Sequence, residues 1–434
     1  LLALSLSLAL AGVTACQSPT DTGTEGGTDK GTEATESTES SDTAGGEGLK
    51  LGALLPATGD LASIGQPMLD ALPLAVETVN ACGGINGADV TLVIEDTQTD
   101  PTAGAAAMTK LVEADGVNAV VGAFASSVSG AAVDVAVRNE VPLVSPGSTS
   151  PVFTERAKAG DFDGYWARTA PPDTYQAEAL AEWAIAQGLN NVATAVINND
   201  YGVGFEQAFL AAFEARGGTV VNKDNPVRYD PKAATFEAEA AAAFGDAPDA
   251  VLGVLYAETG ALLLRSAYEQ GLTEGVTILL TDGVQTESFP EDVGKTTDDG
   301  YILGDRAIGT VPGAGGEGLG EFSALWEDTS GEAPGAVVPH TWDATGLLLW
   351  AAEAAGGNHG AAIAASLRDV AGGEGTAVTN VCAALDLIRN GEAINYQGAS
   401  GAVDIDENGN VVGPYDIWNV TSDGKIEVID QVQL

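Results

Sequence analysis

The chain alternates short, almost uninterrupted apolar segments with helical stretches of ~10 to 15 residues. Apolar segments occur at residues 49–56 (LKLGALLP), 117–124 (VNAVVGAF) and 141–148 (VPLVSPGS). The stretch DPTAGAAAMTKLVEAD between two of them predicts a helix with Asp100 as N-cap and Pro101 in the first turn. Continuous apolar strands separated by helices form parallel sheets that are buried on both faces. The pattern therefore predicts a doubly wound α/β fold.

The alternation of apolar segments and helical stretches is interrupted around residues 168–172 (RTAPP), and a second α/β series follows. Its apolar segments are NNVATAVIN, DAVLGVLY and VTILLTD. Two series of similar size predict two parallel-sheet lobes. We assign residues 49–169 and 284–412 to lobe 1, and residues 170–283 and 413–434 to lobe 2.

The charge of the chain is strongly negative, with 62 acidic and 17 basic residues and a net charge of −45. Such a surface repels nucleic acid, anionic lipid and anionic solutes, so a nucleic-acid partner is excluded. Residues 17–48 are rich in Thr, Ser, Gly, Glu and Asp and contain no aromatic residue. This composition cannot bury enough apolar surface to offset ordering entropy, which predicts a disordered acidic tether over residues 16–48.

The N-terminal segment is apolar from Leu1 to Val13 and leads into Thr14-Ala15-Cys16. A short apolar run that ends in small residues and a cysteine resembles the lipobox of bacterial lipoproteins, and it is too short to span a bilayer. It predicts a partial signal peptide over residues 1–15, lipidation of Cys16, and an exported protein anchored to a membrane and facing the periplasm or the cell exterior. The alternative is a buried cysteine in an apolar helix. No later stretch is long and apolar enough for a transmembrane helix.

The motifs of common enzyme and cofactor sites are missing from the sequence. There is no GxxxxGK[ST] loop, no GxGxxG after the first strand and no GxSxG, and neither His340 nor His359 has an obvious nucleophile nearby. Residues 404–409 (DIDENG) imitate the start of a calcium loop, but its twelfth position is Tyr415 and not the required Glu. Cys82 and Cys382 have no CxxC partner, which argues against zinc, and an even pair in an exported protein suggests one disulfide. We therefore expect no metal, no cofactor and no enzymatic activity.

Four loops at the carboxyl ends of predicted strands carry polar groups, where ligands bind in parallel α/β sheets. In the first series these are residues 125–127 (ASS) and 146–151 (PGSTSP), whose hydroxyls and helix starts favour a carboxylate. In the second series they are residues 198–202 (NNDYG) and 257–260 (AETG), where Glu258 could pair with an ammonium group. For each loop alone, N-capping is the competing interpretation. Together they suit a free amino acid.

The ordered set of these stretches resembles the branched-chain amino-acid-binding family of ABC-transporter solute receptors, which have the type I periplasmic-binding-protein fold. The resemblance runs from residue 49 to the C-terminus and rests on residues 51–101, 120–132, 141–151, 198–209, 256–272 and 396–411. It implies that Ser126 and the loop from Gly147 to Thr149 hold the ligand carboxylate. It implies further that Glu258, with the Gly147 carbonyl, holds the ammonium group, and that Tyr201 packs over the ligand. Ile64 departs from the family, which often has Tyr or Trp there.

The resemblance also implies a mechanism and partners. The two lobes would close on a small amino-acid-like ligand through crossovers near Ala170, Gly283 and Val412, and a monomer would deliver the ligand to an ABC permease in the membrane. The same fold serving as the sensor of a signalling receptor is the alternative. Since Cys82 and Cys382 both map to lobe 1, they are expected to form a disulfide with each other.

Overall fold

The computed structural model describes residues 48–433. The signal peptide, Cys16 and nearly all of the expected tether lie outside the described residues. Within them, no helix combines the length and the apolar character that crossing a bilayer requires.

The first sheet has five parallel strands in the order β2-β1-β3-β4-β5. The strands are β1 (Lys50–Leu55), β2 (Thr91–Asp96), β3 (Ala119–Gly122), β4 (Leu143–Ser145) and β5 (Trp166–Arg168). The helices between them are α1 (Ala62–Ala81), α2 (Pro101–Thr109), α3 (Ser126–Arg138) and α4 (Val152–Lys158). As predicted, Asp100 caps α2 by accepting hydrogen bonds from the backbone N–H groups of Thr102 and Ala103 at 2.8 and 3.0 Å.

The second sheet has eight strands, ordered β15-β14-β11-β10-β9-β6-β7, with β8 also paired to β6. The strands are β6 (Asn191–Ile197), β7 (Thr219–Val220), β8 (Val227–Tyr229), β9 (Ala250–Val254), β10 (Thr277–Leu280), β11 (Ala307–Pro312), β14 (Tyr415–Val420) and β15 (Ile426–Val432). The helices of this lobe are α5 (Asp173–Ala186), α6 (Asp200–Ala215), α7 (Glu237–Phe244), α8 (Ala257–Glu269) and α9 (Phe289–Val293). Only the β11–β14 and β14–β15 pairs in this sheet are antiparallel.

The chain then returns to the first lobe. The returning elements are α10 (Leu319–Ser330), α11 (Val338–Ala355), α12 (Gly360–Gly372), α13 (Val381–Arg389) and the parallel pair β12 (Thr376–Val378) and β13 (Ile394–Tyr396). Helix α11 packs on α1 and on β3 and β4. Every residue from Val338 to Ala352 is buried, as expected for a helix that is apolar nearly all round.

The predicted end of the second lobe at residue 283 is wrong. Strand β11 pairs in parallel with β10 and antiparallel with β14, so the chain stays in the second sheet until Pro312. The second crossover is therefore residues 313–318, not the vicinity of Gly283. The sequence could not reveal this, because β11 follows a polar, glycine-rich segment and its partner β14 lies about a hundred residues further along.

Cys82 follows α1 and joins Cys382 of α13 in a disulfide, with 5.5 Å between the Cα atoms. The bond links segments 300 residues apart in the sequence within the first lobe. Arg389 strengthens the same junction, since its Nη1 donates to the Cys82 carbonyl at 2.7 Å and its Nε to Glu353 at 2.8 Å.

Candidate functional site

The carboxyl ends of the two sheets face each other across a narrow cleft. It encloses a cavity of about 10 Å³, lined by Leu61, Phe124, Ala125, Ser126 and Gly147 from the first lobe and by Tyr201, Tyr256, Asp282 and Gly283 from the second. That volume admits about one water molecule. The lobes are therefore closed on each other in this structure, and an amino acid can enter only when they separate.

Ser126 begins α3 at the cleft, where the helix dipole is positive. It is 1% exposed, and its Oγ accepts a hydrogen bond from the Ser150 N–H at 3.3 Å. Thr149 is equally buried, and its hydroxyl has no hydrogen-bond partner. Two hydroxyls at a helix start are the donors that a carboxylate requires.

The loop that carries Thr149 is held by a network of buried serines. The Ser145 hydroxyl donates to the Ala123 carbonyl at 2.6 Å and accepts from the Ser148 N–H at 2.8 Å. The Ser148 and Ser129 hydroxyls lie 2.7 Å apart. Gly147 is required at its position because a Cβ there would overlap the ring of Phe124. The loop is thus fixed before any ligand arrives.

Asp282 supplies the acidic side of the cleft. It follows β10 in a short 3₁₀ turn and is only 6% exposed. Its Oδ1 accepts from Gln176 Nε2 at 2.9 Å and lies 2.9 Å from the Tyr201 hydroxyl, which is also 2.7 Å from Thr281 Oγ1. Burial raises the pKa of Asp282 above its ordinary value.

Asp173, the first residue of α5, adds a second buried carboxylate. It is fully buried, and neither carboxylate oxygen has a hydrogen-bond partner, although the nearby Thr149 hydroxyl and the charge of Arg168 act to lower its pKa. Burial first, and then the charge of Asp282, raise the pKa of Asp173 well above its ordinary value. Two neighbouring buried carboxylates whose pKa values are raised favour a cation placed beside them.

Glu258 does not lie at the cavity beside Asp282. Its side chain is exposed in the first turn of α8, and it is not among the residues that line the cavity. In this structure Glu258 therefore does not face Ser126 across the small cavity, and its contact with a ligand ammonium group stays a prediction. The same rule about strand ends could have found Asp282, because Thr281-Asp282-Gly283 follows the apolar strand β10 directly.

Tyr201 lies where it was expected, on the second-lobe side of the cavity. It is buried and stacks on Tyr256, with ring centroids 5.9 Å apart and an interplanar angle of 12°. Tyr256 was not anticipated, since its position between β9 and α8 in an apolar segment is equally compatible with the core. The two rings form the wall of the cavity opposite Ser126.

A second, larger cavity of about 640 Å³ adjoins the first and shares Asp282 with it. Its walls include Ser63, Ile64 and Pro67 of α1 and Trp326 of α10. Ile64 thus lines the space where a ligand side chain can extend from the small cavity. This space mixes apolar walls with polar groups.

Three polar contacts join the lobes beside the cleft. Ser150 Oγ donates to the Asp200 carbonyl at 2.8 Å, and Lys232 Nζ lies 2.8 Å from Asp100 Oδ2. The third contact links Thr259 to Asp60 at 2.9 Å. These contacts connect opposite lobes and so depend on closure.

Comparisons with known proteins place this geometry in context. Residues 67–423 match the family described as the receptor family ligand binding region. Over 380 residues the chain is 29% identical to the chemotactic signal transduction system substrate-binding protein BasB of Halobacterium salinarum, covering 83% of this chain and 84% of BasB. The Leu/Ile/Val-binding protein BraC3 of Rhizobium johnstonii is 30% identical over 243 residues, which cover 56% of this chain and 63% of BraC3.

Among solved structures, the leucine-binding protein LivK of Thermotoga maritima matches with a TM-score of 0.74 and 26% identity. The match covers 89% of this chain and 99% of LivK. It confirms the predicted α/β fold with two lobes.

Proposed function

The chain belongs to the receptor family of ligand-binding regions, as a type I periplasmic binding protein of the branched-chain amino-acid-binding type, and from this premise we propose that it captures a small α-amino acid by closing its two lobes. Proteins of this family and fold bind ligands and are not enzymes. Capture and release of a ligand is therefore the activity to explain.

The observation that carries the proposal is the division of polar groups across one cavity. Ser126 of the first lobe and Asp282 of the second line the cavity with a hydroxyl and a carboxylate, and behind them lie the buried Thr149 hydroxyl and Asp173 carboxylate. A zwitterion with its carboxylate toward Ser126 and its ammonium toward Asp282 would satisfy both sides. Burying each charge is tolerable only with such partners.

The same distribution of polar groups over the two lobes sets the order of ligand binding and lobe closure. An open cleft would let the ligand bind first to the loop of the first lobe, since hydrogen bonds within that lobe hold Ser148 to Ser145 and Ser150 to Ser126. The second lobe would then bring Asp282 and Tyr201 onto the ammonium group by hinge motion at the crossovers.

The cellular role that we propose is delivery of the ligand to the permease of an ABC importer, by an exported monomer tethered to a membrane through lipidated Cys16. The resemblance of residues 13–16 to a lipobox and the acidic composition of residues 17–48 support the tether. Export also fits the Cys82–Cys382 disulfide. Mass spectrometry of the membrane-extracted protein would test the lipid anchor, and an unmodified Cys16 would contradict it.

A sensor role is the second candidate, and one observation favours it. BasB, which aligns over 83% of this chain, is a substrate-binding protein of a chemotactic signal transduction system. Permease and ATPase genes beside this gene would support transport, whereas a neighbouring transducer gene would support sensing.

A thermal-shift screen tests the ligand class. The probes are the L-amino acids, each with its C-terminal amide and its α-hydroxy acid, which remove the carboxylate or the ammonium group in turn. A ligand that binds only the folded protein raises the melting temperature. We expect stabilisation by one or a few amino acids and much less by their analogues. Equal stabilisation by a hydroxy acid would remove the ammonium site from the proposal.

A further inference from the structure

Arg168 is a buried cation that the proposed ligand contacts leave unexplained. It ends β5, where it is paired with Ser145 of β4, and it is among the largest side chains that are completely buried. Burial lowers its pKa to about 10, so it remains charged at neutral pH.

The guanidinium group has five N–H donors, and the structure supplies five oxygen contacts for them. Nη1 donates to the carbonyls of Ser148 and Ser150, both at 3.0 Å. Nε and Nη2 donate to Asn410 Oδ1 at 3.0 and 2.6 Å, and Nη2 also to Thr154 Oγ1 at 2.8 Å. Within residues 48–433, no carboxylate lies in ion-pair contact with Arg168.

The nearby charge of Asp173 offsets only part of the cost of burying the Arg168 guanidinium, so stability alone is a poor reason for an arginine here. Its planar, rigid set of donors can, however, hold several acceptors in fixed relative positions, which a lysine cannot do. The acceptors of Arg168 belong to two separate parts of the chain, which also touch through a hydrogen bond from Thr154 Oγ1 to Asn410 Oδ1 at 3.1 Å.

The first part is the loop that carries Thr149. Arg168 holds the carbonyls on either side of Thr149, and the Asp173 N–H holds the Thr149 carbonyl itself at 2.9 Å. Three consecutive carbonyls are thereby fixed, while the Thr149 hydroxyl is left without a partner.

The second part is the turn before the third crossover. Asn410 is anchored in this turn by Asp406, whose Oδ1 and Oδ2 accept from the Asn410 N–H and Nδ2 at 2.8 and 3.2 Å. The backbone N–H of Arg168 also donates to the Gly409 carbonyl at 3.0 Å. Arg168 itself immediately precedes the first crossover, so its contacts involve two of the three crossovers.

We propose that Arg168 is a positioning residue that couples the loop of Ser148, Thr149 and Ser150 to the turn around Asn410, so that the ligand-facing loop and the hinge move together. The binding of a carboxylate by this loop rests on the proposed function, but the coupling does not.

Hydrogen exchange of the full chain, without ligand, tests the coupling. The variant is Asn410→Ala, which removes the Arg168 acceptor on the hinge side and leaves the loop sequence unchanged. The control is Asn408→Ala, because only the backbone N–H of Asn408 takes part in the turn, donating to Asp406 at 2.7 Å. Amides of β1 report global stability in every sample.

We expect Asn410→Ala to accelerate exchange in residues 147–150 by about tenfold relative to β1, because the two hydrogen bonds that Asn410 accepts from Arg168 are lost. Arg168→Lys should do the same while keeping the charge, and Asn408→Ala should leave the loop unchanged. The proposal is overturned if Asn410→Ala affects only its own turn, or if loop and β1 accelerate equally. Because no ligand is used, the outcome is independent of whether the protein binds amino acids.

Discussion

Thr259 of the second lobe donates a hydrogen bond to Asp60 of the first, with 2.9 Å between Oγ1 and Oδ2. Asp60 lies in the loop between β1 and α1, and Thr259 lies in the first turn of α8. Burial, opposed in part by this hydrogen bond, raises the pKa of Asp60 to about 6, and the nearby charge of Glu258 adds to the increase. Closure of the cleft therefore places an acidic group where its charge is disfavoured.

This relationship predicts pH-dependent closure. A raised pKa means that the closed form holds the Asp60 proton more tightly than the open form. Protonation of Asp60 therefore stabilises the closed form fully below about pH 4, and this stabilisation is lost as the pH rises through about 6. Small-angle X-ray scattering should show a more closed ligand-free protein at pH 5 than at pH 7.5. Asp60→Asn should remove most of this difference, whereas Asp89→Asn, at an exposed acid of the same lobe, should not. An unchanged pH response in Asp60→Asn would contradict the role of Asp60.

Asp282, rather than Glu258, should determine affinity for the ammonium group. Asp282→Asn removes a buried charge in the cleft, and a lost charge-assisted hydrogen bond of ~1.5–3 kcal/mol corresponds to a ten- to hundredfold weaker Kd. Glu258→Gln changes an exposed side chain and should alter the Kd less than about threefold. Calorimetric titration of both variants with the amino acid that stabilises the wild type most would check this. A larger loss of affinity in Glu258→Gln than in Asp282→Asn would show that Glu258 binds the ammonium group.

Binding of an α-amino acid should release protons. Because the pKa values of Asp173 and Asp282 are raised without ligand, an ammonium group placed between them favours the ionised forms. Affinity should therefore fall as the pH is lowered, and titrations in buffers of different ionisation enthalpy should report proton release. Asp173→Asn should reduce the number of protons released. Proton uptake on binding would show that the ammonium group binds elsewhere.

Gly204 of α6 should be required for closure. A Cβ at this position would lie 2.7 Å from Ser150 Oγ and 3.1 Å from Pro151 Cδ, both in the opposite lobe. Gly204→Val should therefore fold normally but bind ligand at least about tenfold more weakly, because closure would cost over 1 kcal/mol. Gly320→Ala, in α10 with no atom within 4 Å of its Cβ, is the matched control. Wild-type affinity and normal ligand-induced compaction in Gly204→Val would contradict this contact.

The disulfide should stabilise the first lobe without influencing the cleft. Replacing Cys82 and Cys382 together by serine should lower the free energy of unfolding by ~2–4 kcal/mol, measured in denaturant. The amino-acid Kd should change less than about twofold, because Cys82 and Cys382 do not line the small cavity. If the double variant is as stable as the oxidised wild type, the bond does not form in solution.

Much of the fold could be predicted from local signals. The apolar segments identified β1, β3, β4, β6, β9 and β10, and the capping pattern at Asp100 gave the start of α2. The membership of β11 in the second sheet was missed, since it depends on pairing with the distant β14.

For the site, the sequence by itself determined which strand ends carry polar loops, and it placed Ser126, Gly147 and Tyr201 around one cavity. Only the tertiary structure decided which acid faces them. Glu258 and Asp282 both follow apolar strands of the second sheet, so no local pattern separates them. The difference is burial: lobe closure covers Asp282 and leaves Glu258 in solvent, and burial is set by atoms that are far apart in the sequence.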